Sequence, residues 1–196
     1  MARHVLTSSP AFLVGPFVVA PLLVACGAAA RSEDTTAPTR GERPAASSSA
    51  PSDPRMAALL DAHNVRRSAH CAAPLTWSDE VAVHAQRWAD HLAASGCRLE
   101  HSGDGYGENL AAGTAGTLSP EDVAEMWYRE RASYDYASGG FSMDTGHFTQ
   151  LVWTSSAHLG CGVASCGGLD VWVCNYDPPG NYEGQYRESV LPTSCR

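Results

Sequence analysis

Val171-Trp172-Val173-Cys174-Asn175-Tyr176-Asp177-Pro178-Pro179-Gly180-Asn181-Tyr182 is the stretch on which the fold turns. Its opening residues are β-branched, aromatic or small and apolar, and the Pro-Pro-Gly-Asn cluster behind them cannot be continued as a strand. The reading is therefore a buried strand that runs into a turn. Toward the N-terminus, Phe148–Trp153 is likewise rich in aromatic and β-branched residues, and Leu159–Cys166 lies between the two, with Gly167-Gly168 as a turn. Together the three predict short antiparallel strands from residue 146 onward.

Upstream the period is helical. Asp53-Pro54 supplies a capping carboxylate and a proline at the first helical position, and Leu59, Leu60, His63 and Arg67 follow at helical spacing to about Ala69. Ser78 opens a second helix with Val81, Ala85, Trp88, Ala89 and Leu92 on one face, and Gly96 stops it. Ser119-Pro120-Glu121-Asp122 is a capping box for a third helix that carries Val123, Met126, Trp127 and Glu130. Helices early and strands late predict an α+β domain in which helices cover a small antiparallel sheet.

Composition excludes several chemistries. The 196 residues contain 13 basic side chains, all arginine, against 21 acids, for a net charge of −8. Without lysine there is no Schiff-base amine and no phosphate-loop lysine. An acidic chain also lacks the basic stripe that displaces phosphate counterions, so no nucleic-acid partner is expected.

The N-terminal part is read separately. Residues 1–25 carry Arg3 and an apolar run, Ala11 to Ala25, interrupted by Pro16 and Pro21. That is too short and broken for a spanning helix, which needs about 20 apolar residues, and it fits an export signal. Leu23-Val24-Ala25-Cys26 resembles a bacterial lipobox, which implies lipidation of Cys26, a membrane anchor and a new N-terminus there. The alternative is an ordinary signal peptide cleaved near residues 28–30. Residues 26–53 are mostly Ala, Ser, Thr, Pro and Gly and read as a flexible tether. The folding domain is then 54–196, which holds nine Arg against 17 acids and so retains the whole charge excess.

Four segments taken together resemble the signatures of the CAP superfamily, the cysteine-rich secretory, antigen-five and pathogenesis-related proteins that share the SCP domain. They are Gly146-His147-Phe148-Thr149-Gln150-Leu151-Val152-Trp153, the stretch from Val171 to Tyr182, Gly107-Glu108-Asn109-Leu110 and His63-Asn64-x-x-Arg67. The resemblance spans about residues 56–191. It implies a three-layer α-β-α sandwich, an extracytoplasmic location and a central cleft with two His and two Glu. Carried over position by position, these are His101, Glu108, Glu130 and His147.

Two imidazoles and a carboxylate facing one cavity suit a divalent cation, zinc first, or a small ligand, with the second carboxylate orienting a ring or acting on a bound water. The alternative is a structural seam in which each carboxylate fixes one imidazole. Two further readings use the same cleft: a metal-assisted hydrolase, and an extracellular lipid or sterol carrier with a structural tetrad. No Gly-x-Ser-x-Gly element or other nucleophile motif supports catalysis. His84 with His91, and His63 with His70, are seven apart, about 10 Å along a helix, too far to share one ion. Packing or exposure is the better expectation for all four. His158 is placed in a turn.

Of seven cysteines, Cys26 is set aside as the lipid acceptor, and the other six make an even set in an exported domain. Six cysteines allow 15 pairings, and the residues do not choose among them. Resemblance to plant members implies Cys161 with Cys174 and Cys97 with Cys166, which leaves Cys71 with Cys195. A cysteine-ligated metal is the less favoured alternative.

Overall fold

The computed structural model describes residues 50–195. The signal segment, Cys26 and all but the last residues of the 26–53 segment lie outside the described residues.

In chain order the elements are α1 (Pro54–Ala69), β1 (Thr76–Trp77), α2 (Asp79–Ala94), β2 (Gly107–Thr114), α3 (Pro120–Arg129) with a 3-10 turn at Glu130–Ser133, α4 (Gly146–Val152), β3 (His158–Cys166), β4 (Leu169–Asp177) and α5 (Tyr186–Ser189). The expected caps are present. Asp53 accepts from the Arg55 amide, Ser78 from Val81, and Ser119 and Asp122 form the reciprocal capping box of α3. Gly96, just beyond α2, takes a positive φ of 84°.

The sheet order is β1-β3-β4-β2. β4 alternates between two cores, because successive side chains of a strand point to opposite faces. Val171 and Val173, with Leu110 of β2, pack against Ala85, Ala89 and Leu92 of α2. Trp172, Cys174 and Tyr176 pack on the other face with Leu59 of α1, Val123 and Trp127 of α3, and Phe148 and Leu151 of α4. The result is the expected three-layer α-β-α sandwich.

Three sequence readings need correction. The sheet is mixed rather than wholly antiparallel, since β1 runs parallel to β3 while β2 and β3 run antiparallel to β4. Phe148–Trp153 is not a strand: residues 148–152 belong to α4 and are all buried, so the run carries no period by which helix and strand can be told apart. Gly107–Thr114, to which the sequence reading gave no element, is an eight-residue strand. Its Gly and Ala have little intrinsic strand preference, and full pairing with β4 overrides that. His158 begins β3 instead of sitting in a turn.

The three disulfides pair as the resemblance implied: Cys71–Cys195, Cys97–Cys166 and Cys161–Cys174. Cys161 and Cys174 face each other across β3 and β4.

α1 is pinned by polar groups inside the core. His63, His70 and Arg67 are all fully buried. His70 lies 2.6 Å through Nδ1 from the Leu191 carbonyl and 3.1 Å through Nε2 from the Tyr128 hydroxyl. His63 lies 2.6 Å from the Leu59 carbonyl and 2.9 Å from the Tyr176 hydroxyl. Burial penalises the charged ring and drives the His63 pKa down to about 4, against the raising effect of the Leu59 carbonyl. The unfolded chain therefore binds a proton, between the ordinary histidine value near 6.5 and pH 4, that the folded chain refuses. The sign follows: stability is full above pH 6.5 and falls as the pH drops toward 4. The expected loss is about 3 kcal/mol, the shift converted at about 1.4 kcal/mol per unit. His70, also pushed down by burial, adds in the same direction. Urea unfolding from pH 7 to 4 measures it, and an unchanged midpoint over that range would refute it.

Candidate functional site

Two histidine–carboxylate pairs stand at the edge of β2 and the start of α4. The loop entering β2 turns through Gly103 and Gly105, both at positive φ, and brings His101 back over the strand's first residues. His101 Nδ1 lies 2.7 Å from Glu108 Oε1, which also accepts from the Ser102 amide at 3.0 Å. The environments differ sharply: the His101 side chain is 64% exposed and that of Glu108 only 6%. The bond to Glu108 raises the His101 pKa, partly offset by burial.

Glu130 follows α3 directly and reaches the second pair. Its Oε1 lies 2.6 Å from His147 Nδ1, and its Oε2 accepts from the amides of His147 at 2.9 Å and Phe148 at 3.1 Å. Thr145, which precedes α4, makes no side-chain cap. The carboxylate of Glu130 takes that place from a different element and puts negative charge at the helix start. Glu130 is thus committed to holding α4 and the imidazole ring together.

His101, Glu108 and His147 line one cavity of about 180 Å³, together with Asn109, Phe141, Met143, Gly146 and Asn181. Glu130 stands behind His147 rather than in the lining. In both pairs Nδ1 faces a carboxylate. When Nδ1 carries the proton of that bond, Nε2 holds the lone pair available to a ligand. Among the described residues no group of three or more His, Cys, Asp and Glu side chains is placed to hold a metal ion. The four positions form two orienting pairs around a shared space, not a closed ligand cage.

Sequence reading overlooked several members of the site. Asn109 Nδ2 donates to the His147 carbonyl and to the Tyr176 hydroxyl, both at 3.0 Å. Through Tyr176 the site is continuous with buried His63. Asn181 accepts from Thr149 Oγ1 at 2.6 Å and donates to the Gly146 carbonyl at 2.9 Å, which closes the turn onto α4. Both asparagines lie inside the quoted signatures, yet nothing in their spacing distinguishes a site residue from a turn residue. Phe141 and Met143, 54% and 82% exposed, sit in a loop without a motif. His84, near Tyr106, and His91, stacked on Trp88, remain apart from the cleft, as expected.

Solved structures share this architecture. Hookworm platelet inhibitor superposes with a TM-score of 0.60 at 22% identity, over 75% of this chain and 81% of its own. A structure of NaASP2 with Zn2+ gives 0.56 at 23%, over 74% and 90%. At that identity the likeness establishes the fold. Sequence relatives are nearer: pathogenesis-related protein 1A of Nicotiana tabacum is 46% identical over 129 residues, 64% of this chain and 76% of the tobacco protein. Protein PRY2 of Saccharomyces cerevisiae is 44% identical over 137 residues, 68% of this chain but only 40% of the yeast protein. These relatives come from plants and yeast, so the bacterial lipobox character rests on residues 23–26 alone. Residues 60–176 match the model of the cysteine-rich secretory protein family, CAP, and the chain belongs to that family.

Proposed function

We propose that this chain is an exported CAP protein whose cleft binds a divalent cation, zinc first, through His101 and His147. The observation that carries the reading is the repeated pair: each ring has its Nδ1 against a carboxylate, and both rings line one cavity. A carboxylate on the far nitrogen of an imidazole fixes its orientation and raises its basicity as a ligand. The donor set fits an ion held by two imidazoles with its other positions open to water or a small ligand. It does not fit a four-ligand structural zinc cage. A bound cation would supply Lewis acidity at those open positions. The protein's own contribution is orientation: Glu108 fixes one ring, and Glu130 fixes the other and the helix that bears it. The NaASP2 structure with Zn2+ is consistent with this reading.

Calorimetric titration with zinc tests it. His101→Ala combined with His147→Ala is expected to weaken binding at least tenfold, and unchanged affinity in the double variant would sink the cation site. Protons compete for the same nitrogens, so affinity falls as pH drops through the raised His101 pKa, by up to tenfold per unit for each proton displaced.

Export is supported by three disulfides, which persist in oxidising compartments, and by the secretory character in the family's name. The tether reading adds an anchor at Cys26. Intact mass of the mature protein checks it, with an unlipidated N-terminus beyond residue 26 as the refuting result.

A further inference from the structure

Among the described residues three buried side chains of the sheet, Glu108, Trp172 and Asn175, lack hydrogen bonds that their chemistry demands, and Trp172 lies on the face away from α2. Glu108 Oε1 takes the bonds from His101 and Ser102, while Oε2 is sealed from solvent and has no partner. Asn175 is 1% exposed, and neither Nδ2 nor Oδ1 is bonded. Leaving such groups unpaired is costly, about 1–3 kcal/mol each and more for a charged one. An ionised carboxylate oxygen can only accept, and a carboxamide nitrogen can only donate.

The register puts two of these groups together. Glu108 on β2 lies directly opposite Asn175 on β4. Directly opposed residues of an antiparallel pair share a face, with Cβ atoms about 4.5–5.5 Å apart. The next pair on that face, Leu110 with Val173, is packed beneath α2. On its other flank Asn175 opposes Gly160, over which the backbone of α2 passes. The amide is thus confined between α2 and the sheet, beside the acceptor that needs a donor. A side-chain amide's nitrogen and oxygen are interchangeable by rotation, so its orientation is set by whichever partner it can satisfy.

We propose that Asn175 is a positioning residue for the cleft. Its Nδ2 donates to Glu108 Oε2, directly or through one buried water, and this holds Oε1 toward His101. The inference rests on Glu108 belonging to the cleft but not on cation binding. The test is therefore run in chelator, so that either reading can fail without the other.

The test is a double-mutant cycle in urea with Asn175→Leu, Glu108→Met and the pair. Each single change leaves a buried partner unpaired and is expected to lower the folding equilibrium constant about tenfold or more. The double variant is expected to fall short of the product of the two losses by at least tenfold. Losses that multiply to within about twofold would overturn the proposal. Asn175→Leu removes the donor without adding charge, and at fixed pH it is expected to shift the nitrogen resonance of His101 Nδ1. A resonance that stays in place counts against positioning, since a packing role alone would leave it unmoved. Should the variants not fold, a crystal structure of the wild-type protein decides. A side-chain nitrogen of Asn175 within about 3.2 Å of Glu108 Oε2, or one water bridging them, supports the proposal, and Nδ2 bonded to another acceptor overturns it.

Discussion

Arg67→Met is expected to destabilise the protein by about 4–6 kcal/mol, a large part of the 5–15 kcal/mol that holds a typical domain folded. The guanidinium is fully buried in α1 and has no carboxylate partner among the described residues. It donates instead to four backbone carbonyls: Ala73 at 2.8 Å, Leu151 at 3.0 Å, Trp153 at 2.9 Å and Ser156 at 3.0 Å. Leu151 and Trp153 stand at the C-terminal end of α4, where carbonyl dipoles favour a cation. Burial nonetheless lowers the Arg67 pKa to about 10. One side chain thereby ties α1 to the exit of α4 and to the turn before β3. Removing it leaves buried acceptors unpaired, each costing about 1–3 kcal/mol, less where an acceptor keeps a second donor. Arg67→Lys retains the charge but not the planar fork, so about half the loss is expected. Urea unfolding of both variants measures the effect, and a loss below about 1 kcal/mol for Met would show that the four bonds are dispensable.

Gly160→Ala should be nearly as damaging, for a steric reason. A Cβ at this position would lie 2.1 Å from the Ala82 amide nitrogen, 2.4 Å from the Val81 carbonyl carbon and 2.6 Å from Ala82 Cα. All three are backbone atoms of α2, so no side-chain rotation relieves the clash and the helix itself must lift from the sheet. Overpacking of a rigid core typically costs about 1–3 kcal/mol, and a backbone-on-backbone clash belongs at or beyond the top of that range. Gly162→Ala meets Gln86 Cα at 2.4 Å and should behave alike. Gly168→Ala is the control: it meets nothing within 4 Å, and only its positive φ of 84° is strained, for about 1 kcal/mol. Equal thermal shifts for Gly160→Ala and Gly168→Ala would refute close helix–sheet approach as the cause. Gly160 also opposes Asn175, which opposes Glu108, so lifting α2 there disturbs the wall of the cleft as well as the core.

Local signals served best where chemistry is local. The Ser119–Asp122 box, the Ser78 cap and the stop at Gly96 each depend on a few adjacent residues, and all three stand where they were read. Residues 107–114 received no element from local signals because a strand of Gly and Ala is made by its partner rather than by its own preferences. Residues 148–152 failed for the opposite reason: burial on every side erases the period. For the site, His101, Glu108, Glu130 and His147 were named through family resemblance, and their spacing alone would not have assembled them. Asn109, Asn175 and Asn181 escaped because asparagine in a turn or strand looks the same in sequence whether or not a functional group depends on it.

By itself the amino-acid sequence determined the acidic, lysine-free character of the chain, the starts of its three long helices and the ends of the first two, the strand Val171–Cys174 and an even set of six domain cysteines. Those properties depend on residue type and short-range order. Only the tertiary structure decided that the sheet is mixed, that Arg67 spends its charge on carbonyls, that glycines set the distance between α2 and β3, and that the His and Glu form two pairs around one space. Each of these depends on which atoms meet across tens of residues of chain, and such meetings are set by packing and pairing rather than by local preference.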